Sequence, residues 1–123
     1  MIQEGLKHSS EMKVTEAVTA IAMGSGDMPV LATPAMMALM ENAAMLAVAT
    51  HLPDGNTTVG GHISASHLKP SHIGDTITAT ATVTRVDGKK IEFQVEARSG
   101  DILLGEGTHL RFIVDREKFM SRL

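Results

Sequence analysis

The segment that most limits the fold is TPAMMALMENAAMLAVAT, residues 33–50, which is apolar apart from a few positions. Thr33 followed by Pro34 predicts a helix start, because a Thr hydroxyl can cap free amides and Pro fits the first turn. A helix that is apolar on nearly all sides must be covered on nearly all sides. Glu41 and Asn42 in its middle argue against a membrane span, since a carboxylate is costly in lipid. We therefore predict a buried helix with an extensive cover.

Segments that alternate apolar and polar residues are candidate strands for this cover. Such alternation is typical of strands with one covered and one solvated face. Asp87-Gly88 separates two of them and predicts a hairpin turn. The predicted strands are residues 56–69 (NTTVGGHISASHLK), 76–86 (TITATATVTRV), 89–100 (KKIEFQVEARSG) and 102–115 (ILLGEGTHLRFIVD), with a weaker one at 9–20 (SSEMKVTEAVTA) ahead of the helix. This order predicts an α+β fold with one helix laid on an antiparallel sheet.

The composition limits the functions that such a fold can serve. A chain of 123 residues is long enough for one core, and we expect a single domain over residues 1–123. Three Phe, no Tyr and no Trp argue against binding single-stranded nucleic acid by stacking. Eleven basic and fourteen acidic residues give a net charge of −3, which does not indicate a phosphate-tracking surface. Nucleic acid is therefore not an expected partner.

The chain has no cysteine, which excludes disulfides, thiolate zinc sites and a Cys nucleophile and fits a reducing compartment. The N-terminal residues MIQEGLKHSS lack the order of a secretory signal, so we expect a cytoplasmic protein without a membrane partner. No metal and no cofactor are predicted. Four histidines show no recognisable ligand spacing: His8, His62, His72 and His109. His51 closes the predicted helix, where a cationic side chain complements the helix dipole. The lysines and arginines could contact phosphates, but scattered surface charge is the simpler interpretation, so none is assigned.

Three stretches of the sequence resemble one protein family. They are ATPAMMALMENAA, VGGHISASHLKPSHIGDTITATATVTRVDGKKIEFQVEA and GEGTHLRFIV. The chain resembles the hotdog-fold acyl-CoA thioesterases, and most closely the fluoroacetyl-CoA thioesterase-like branch. The resemblance implies a hotdog fold, in which a curved antiparallel sheet of about five strands wraps one long central helix. It also implies an acyl-CoA substrate and a homodimer or dimer of dimers.

The resemblance further implies site residues. In that branch a Thr just ahead of the helix, a Glu eight residues on and a His at the end of the following strand form the catalytic group, and they match Thr33, Glu41 and His67. A Gly early in that strand lines the acyl site and matches Gly60, and we expect Gly61 beside it to bind substrate too. Glu41 would be general base or transient nucleophile, with His67 as its proton partner. Thr33 would be a nucleophilic or substrate-orienting hydroxyl.

The residues themselves leave a choice for Glu41. Burial of an unpaired carboxylate costs several kcal/mol, so Glu41 must be paired, partly hydrated, neutral or functional. The structural alternative is a helix seam at a subunit contact, where Glu41 and Asn42 meet polar groups of a partner. Thr33 and Glu41 are about 12 Å apart along a helix, so direct contact is not expected. His67, the substrate or a partner subunit would have to bridge them.

His67 is placed by strand alternation. Gly61, Ile63, Ala65 and His67 share one face of the predicted strand, which should be the face toward the helix. A lone His in that position is often a hydrogen-bonded core residue. A helix carboxylate that could orient it favours a catalytic role instead.

The acyl specificity is the point at which the sequence departs from the branch it resembles. In that branch aromatic side chains just ahead of the Thr close the acyl pocket, whereas AIAMGSGDMPVLA, residues 20–32, contains none. Met23, Met28, Val30 and Leu31 could line a pocket, and Met adapts to many shapes. We therefore predict hydrolysis of short or medium acyl-CoA substrates with little preference for fluoroacetyl over acetyl groups.

Two functions of other classes are also compatible with the sequence. A non-catalytic acyl-CoA binding protein would tolerate the same fold. A hotdog enoyl-CoA hydratase would share the substrate class, but the Asp and His hydration motif of such enzymes is not found in this sequence. Release of a free thiol from an acyl-CoA distinguishes hydrolysis from both.

Overall fold

The computed structural model describes all 123 residues, and its main body is an antiparallel sheet that carries one long helix. The strands are β1 (Lys7–Lys13), β2 (Asn56–His67), β3 (Thr76–Asp87), β4 (Lys90–Ser99) and β5 (Ile102–Asp115). The helices are α1 (Ala20–Met23), α2 (Thr33–Ala49) and α3 (Arg116–Ser121), with a 3₁₀ turn at Glu16–Val18. The five strands lie in the order β1-β3-β4-β5-β2. The predicted α+β architecture is confirmed, and no helix is long and apolar enough to cross a membrane.

The predicted elements after residue 30 match the observed ones closely, but the weak N-terminal strand is wrong in its second half. β1 ends at Lys13, and the residues from Glu16 to Met23 form the 3₁₀ turn and α1 instead. Thr19 explains the change, because its hydroxyl accepts a hydrogen bond from the amide of Ala22 at 3.2 Å and so caps α1. Gly24 then ends α1 at a positive φ of 72°.

Helix α2 packs one face on the concave side of the sheet. The buried face consists mostly of small side chains, namely Ala35, Met36, Leu39, Met40, Ala43, Ala44, Ala47 and Val48. Gly105 lets the first turn approach β5, because a Cβ on it would lie 2.6 Å from Sδ of Met36. The opposite face is open to solvent, since Leu46 is 41% exposed. Asn42 is also exposed, but its side-chain oxygen accepts a 2.7 Å hydrogen bond from the Ser10 hydroxyl of β1. The sheet therefore covers less of the helix than its apolar sequence predicts.

A β-bulge in β2 decides which of its side chains face the helix. The register with β5 shifts between Gly60 and His62, so the alternation of faces is displaced there by one residue. Gly60 faces α2, because a Cβ on it would lie 2.9 Å from Oε2 of Glu41. Gly61 faces the other way, since a Cβ there would meet the ring of Phe112 at 2.5 Å. The prediction that Gly61 shares the helix-facing side with His67 is wrong, because strand alternation alone ignores the bulge.

Candidate functional site

The start of helix α2 is joined to the end of strand β2 by a side-chain hydrogen bond. Thr33 Oγ1 lies 2.8 Å from Nδ1 of His67. The prediction that Thr33 caps the helix is wrong: the cap position is Ala32, and Thr33 is the first helical residue. The amides of Ala35 and Met36 both bond to the Ala32 carbonyl, so they are not free to bind an oxyanion. The Thr33 hydroxyl is thus directed to His67 instead of to the helix backbone.

His67 is the other half of this pair, which we call the dyad. It is half-buried, and burial lowers its pKa from the usual 6.5, while the nearby backbone of Lys69 offsets part of the shift. A neutral imidazole can accept the Thr33 proton at Nδ1. Its other nitrogen, Nε2, is buried and has no hydrogen-bond partner within the chain. The dyad therefore combines a hydroxyl with an adjacent base, the arrangement used to activate a nucleophile.

Glu41 lies further along α2, beside a buried cation. Its Oε2 is 3.9 Å from Nη1 of Arg111, and its side chain is 41% exposed against 8% for Arg111. The separation of 3.9 Å is too long for a hydrogen bond. The carboxylate is thus partly compensated in charge, yet its oxygens remain free to bind a water or a substrate group. The apolar helix tolerates this carboxylate because Glu41 faces an arginine and is partly exposed to solvent.

Arg111 is fixed by hydrogen bonds on three of its nitrogens. Nε donates to the Thr58 hydroxyl at 2.8 Å, Nη2 donates to the Thr58 carbonyl at 3.0 Å, and Nη1 lies 3.2 Å from Nε2 of His109. Burial lowers the pKa of Arg111, and Glu41 offsets part of that shift. A guanidinium keeps its proton in proteins, so Arg111 presents a fixed positive charge to Glu41.

His109 orients this arginine. Its Nδ1 lies 2.7 Å from the His62 carbonyl, so Nδ1 carries the proton and donates it, which leaves Nε2 to accept from Arg111. Burial lowers the pKa of His109, and the hydrogen bond to the His62 carbonyl offsets part of the shift. The imidazole is also stacked on Phe93, with ring centroids 6.1 Å apart. We call Glu41, Arg111, His109, Thr58 and Gly60 the carboxylate cluster.

The predicted residues therefore fall into two groups within one chain. Thr33 and His67 are in contact, whereas Glu41 contacts the region of Gly60 and Arg111. Along α2, Thr33 and Glu41 are separated by about 12 Å. Gly60 and His67 lie toward opposite ends of β2. Gly61 is in neither group, because it faces the outer side of the sheet.

Arg111 and His109 are the site residues that the sequence analysis missed. They alternate on β5 with Leu110 and Phe112. Because Leu and Phe are the more hydrophobic side chains, the sequence predicts that Leu110 and Phe112 form the buried face. The structure has the opposite arrangement, because His109 and Arg111 are buried and Phe112 is 39% exposed. The sequence carries no signal that would have identified them, because the orientation of β5 follows from its register with β2.

The segment ahead of Thr33 forms a small flap beside α2. It is anchored by bridges that pair Thr19 with Leu31 and Val30 with His72. Leu31 belongs to the core and Met28 is 60% exposed, so neither lines a cavity. Of the predicted lining residues, Met23 does so, in an apolar groove with Met12, Val18 and Leu39.

Comparison with known proteins gives a consistent result. The family model described as fluoroacetyl-CoA-specific thioesterase matches residues 14–117. The fluoroacetyl-CoA thioesterase of Streptantibioticus cattleyicolor is 35% identical over 94 residues, covering 76% of this chain and 68% of that protein. A solved structure of the fluoroacetyl-CoA thioesterase FlK superposes with a TM-score of 0.92 at 29% identity, covering 99% of this chain and 95% of the other. A Thermus thermophilus hypothetical protein described as a thioesterase superfamily member gives 0.91 at 26% identity, covering 99% and 90%.

Proposed function

The chain belongs to the fluoroacetyl-CoA-specific thioesterase family, and from this premise we propose how its two residue groups divide the reaction. It is an acyl-CoA thioester hydrolase of the hotdog fold. The observation that carries the proposal is the 2.8 Å contact between Thr33 Oγ1 and His67 Nδ1, together with a carboxylate, Glu41, whose oxygens are free. We propose short or medium acyl groups as substrates.

In the first step the Thr33 oxygen attacks the thioester carbonyl. Its proton passes to Nδ1 of His67, the carbon–sulfur bond breaks, and the departing thiolate of coenzyme A takes up that proton. In the second step Glu41 removes a proton from a water molecule, whose oxygen attacks the acyl-Thr33 ester. The free acid leaves, and the Thr33 oxygen takes up the proton that Glu41 removed from the water, so both side chains return to their starting states. The backbone at Gly60 and the charge of Arg111 face the region where the carbonyl oxygen gains charge.

A second subunit would bring the two groups together. β2 is an edge strand with β5 as its only neighbour, and a free edge can pair with another chain. If two copies of β2 pair antiparallel about a two-fold axis through Ser64, the extra residue of the bulge at Gly61 brings His67 opposite Gly60 of the partner subunit. Directly opposed residues point to the same face of a sheet, and both of these face the helix. The dyad of one subunit would then meet the carboxylate cluster of the other.

Apolar side chains between the two groups support this pairing. Met37 lies on α2 one turn after Thr33 and one turn before Glu41, and it is only partly buried. Ile63 and Ala65 lie between Gly60 and His67 on β2 and are also only partly buried. A second subunit on the β2 edge would cover all three. We therefore propose a homodimer, alone or as half of a dimer of dimers, with two composite sites.

The hydrolysis is tested by detecting free coenzyme A with a thiol reagent across a panel of acyl-CoA substrates. Thiol release from short acyl groups is expected, and no release from any acyl-CoA would contradict the function. As part of the same proposal we assign the protein to the cytoplasm, because a chain without cysteine fits a reducing compartment.

The composite site is tested by complementation between two inactive chains. Thr33→Val and Glu41→Gln chains are co-expressed and compared with each variant alone. In a heterodimer one composite site carries both changes and the other carries neither, so random pairing should restore about a quarter of wild-type activity. A mixture that stays inactive, although affinity purification on two different tags recovers heterodimers, would contradict a shared site and leave the hydrolase activity itself untouched.

A further inference from the structure

A cavity of about 210 Å³ lies at the end of β5, outside the site described above. It is formed where helix α3 folds back on the turn between β3 and β4. Its polar lining is Lys89, Lys118, Arg122 and Asp115, and its apolar lining includes Ile113 and Phe119. The Lys89 carbonyl accepts a 2.8 Å hydrogen bond from the amide of Ile113, which fixes the turn against β5. The turn between β3 and β4 together with β5 thus forms one wall of the cavity, and helix α3 forms the other.

The three cations of this cavity have no acidic partner. Ion pairs in the protein involve only Arg85, Arg98 and Arg111 among the basic residues. Asp115 is also in the lining, where its Oδ1 accepts a 3.0 Å hydrogen bond from the amide of Lys118 at the start of α3. The lining therefore carries three positive charges and one negative charge. The chain as a whole is acidic, with a net charge of −3. Three unpaired cations that converge on one concavity favour an anionic ligand.

The position of the cavity relates it to the carboxylate cluster. Arg111 and Ile113 are two residues apart on the same face of β5, and the cavity continues from Ile113 to Asp115. Asp115 is four positions beyond Arg111 on the strand, a distance of about 13 Å at 3.3 Å per residue. The pantetheine arm between the sulfur and the first phosphate of coenzyme A has about twelve bonds and spans roughly 15 Å when extended. The two lengths agree.

We propose that this cavity binds the phosphate groups of the coenzyme A moiety while the acyl end lies in the carboxylate cluster. The inference rests on the proposed function, because it takes the acyl-CoA thioester as the ligand. Lys89, Lys118 and Arg122 would bind the phosphates by charge-assisted hydrogen bonds. Phe119, which is 37% exposed, offers an apolar surface for the adenine ring. Pantetheine would then extend along β5 to place the thioester near Arg111.

The test compares ligands with and without phosphates, and it measures binding separately from turnover. Calorimetry with coenzyme A, 3′-dephospho-coenzyme A and pantetheine is carried out on the wild type, on Lys118→Gln and on the double variant Lys118→Gln/Arg122→Gln. Lys7→Gln is the matched control, because Lys7 is an exposed lysine on β1, at the opposite edge of the sheet. All of these side chains are exposed, so melting curves should agree.

The wild type should bind coenzyme A at least tenfold more tightly than pantetheine, and the double variant should lose most of that difference while Lys7→Gln keeps it. In turnover, the KM for acetyl-CoA should rise about tenfold in the double variant with kcat unchanged, and kcat/KM for acetyl-pantetheine should not change. Equal coenzyme A affinity in the wild type and the double variant would overturn the inference. So would inhibition by inorganic phosphate as strong as that by 3′,5′-adenosine bisphosphate, which would indicate a general anion site.

The outcome for this cavity is separable from the outcome for the reaction. If the wild type hydrolyses neither acetyl-CoA nor acetyl-pantetheine, the proposed function fails, and the calorimetry still decides whether the cavity binds coenzyme A. If both thioesters are hydrolysed and the double variant keeps the wild-type KM for acetyl-CoA, only the cavity assignment fails.

Discussion

The hydroxyl of Thr33 lies 2.8 Å from Nδ1 of His67, so the residue that begins the long helix is bonded to the residue that ends strand β2. This contact orients the hydroxyl away from the helix backbone and toward a base whose pKa is lowered by burial. It also fixes the position of the dyad relative to Glu41, which stands eight residues further along the same helix.

Glu41→Gln should keep the fold and lose most of the hydrolysis. The amide keeps the shape of the side chain but cannot remove a proton from water, and a general base contributes about 10²- to 10⁴-fold in rate. Because Thr33 is still intact, this variant should accumulate an acyl adduct on Thr33, detectable by mass spectrometry after mixing with acetyl-CoA. Glu106→Gln, at an exposed position of β5, is the control. Near-normal turnover by a folded Glu41→Gln protein would contradict the assigned role.

Thr33→Val and Thr33→Ser should separate the hydroxyl from the shape of the side chain. Val has nearly the same volume but cannot bond to His67, so kcat should fall by roughly 10²-fold or more. Ser retains the hydroxyl and should stay within about tenfold of the wild type. Thr33 does not cap the helix, so the melting temperatures of both variants should stay near that of the wild type. A Val variant as active as Ser would exclude Thr33 as the nucleophile.

Acid should reduce both activity and stability. Burial lowers the pKa of His67 and of His109 below 6.5 in the folded state. As the pH falls below 6.5, the unfolded chain therefore binds these protons before the folded chain does, and the free energy of unfolding decreases. kcat/KM should be level above that pH and fall below it as His67 becomes charged. Calorimetric melting at pH 7.5 and 5.5 tests the stability, and a higher melting temperature at the lower pH would contradict the predicted sign.

Gly60→Ala and Gly61→Ala form a matched pair of adjacent substitutions with different outcomes. A Cβ at Gly60 would lie 2.9 Å from Oε2 of Glu41, so the carboxylate must move and kcat/KM should fall by at least tenfold. A Cβ at Gly61 would meet the ring of Phe112, an exposed side chain that can turn away, so activity should be close to normal. Equal loss of activity in both folded variants would mean that neither glycine is specific to the acyl site.

The acyl specificity should be broad. The segment at residues 20–32 contains no aromatic side chain, and the flap that it forms exposes Met28 to solvent. The ratio of kcat/KM for fluoroacetyl-CoA to that for acetyl-CoA should therefore stay below about tenfold, which corresponds to roughly 1.4 kcal/mol. A preference of several hundredfold for fluoroacetyl-CoA would show that another part of the protein selects the fluorinated group.

Much of this molecule follows from local sequence patterns. Helix α2 and the later strands agree with their predicted bounds to within a few residues, because periodicity and turn residues such as Asp87-Gly88 act over short distances. Glu41 was likewise visible in the sequence, since it breaks the apolar character of its helix, whereas the roles of Thr33 and His67 came from the family resemblance. The placement of these residues in two separate groups was not visible in the sequence.

The tertiary structure alone decided which groups meet. The bulge at Gly60 and His62 exists only in the pairing of β2 with β5, so strand alternation placed Gly61 on the wrong face. The burial of His109 and Arg111 contradicts the hydrophobic pattern of β5, because their hydrogen bonds to His62 and Thr58 come from a strand about fifty residues away. The Thr33 hydroxyl likewise does not cap the helix, because it is bonded to His67 on a distant strand. Local patterns fix where a helix or strand forms, whereas cross-strand register fixes which side chains share a site.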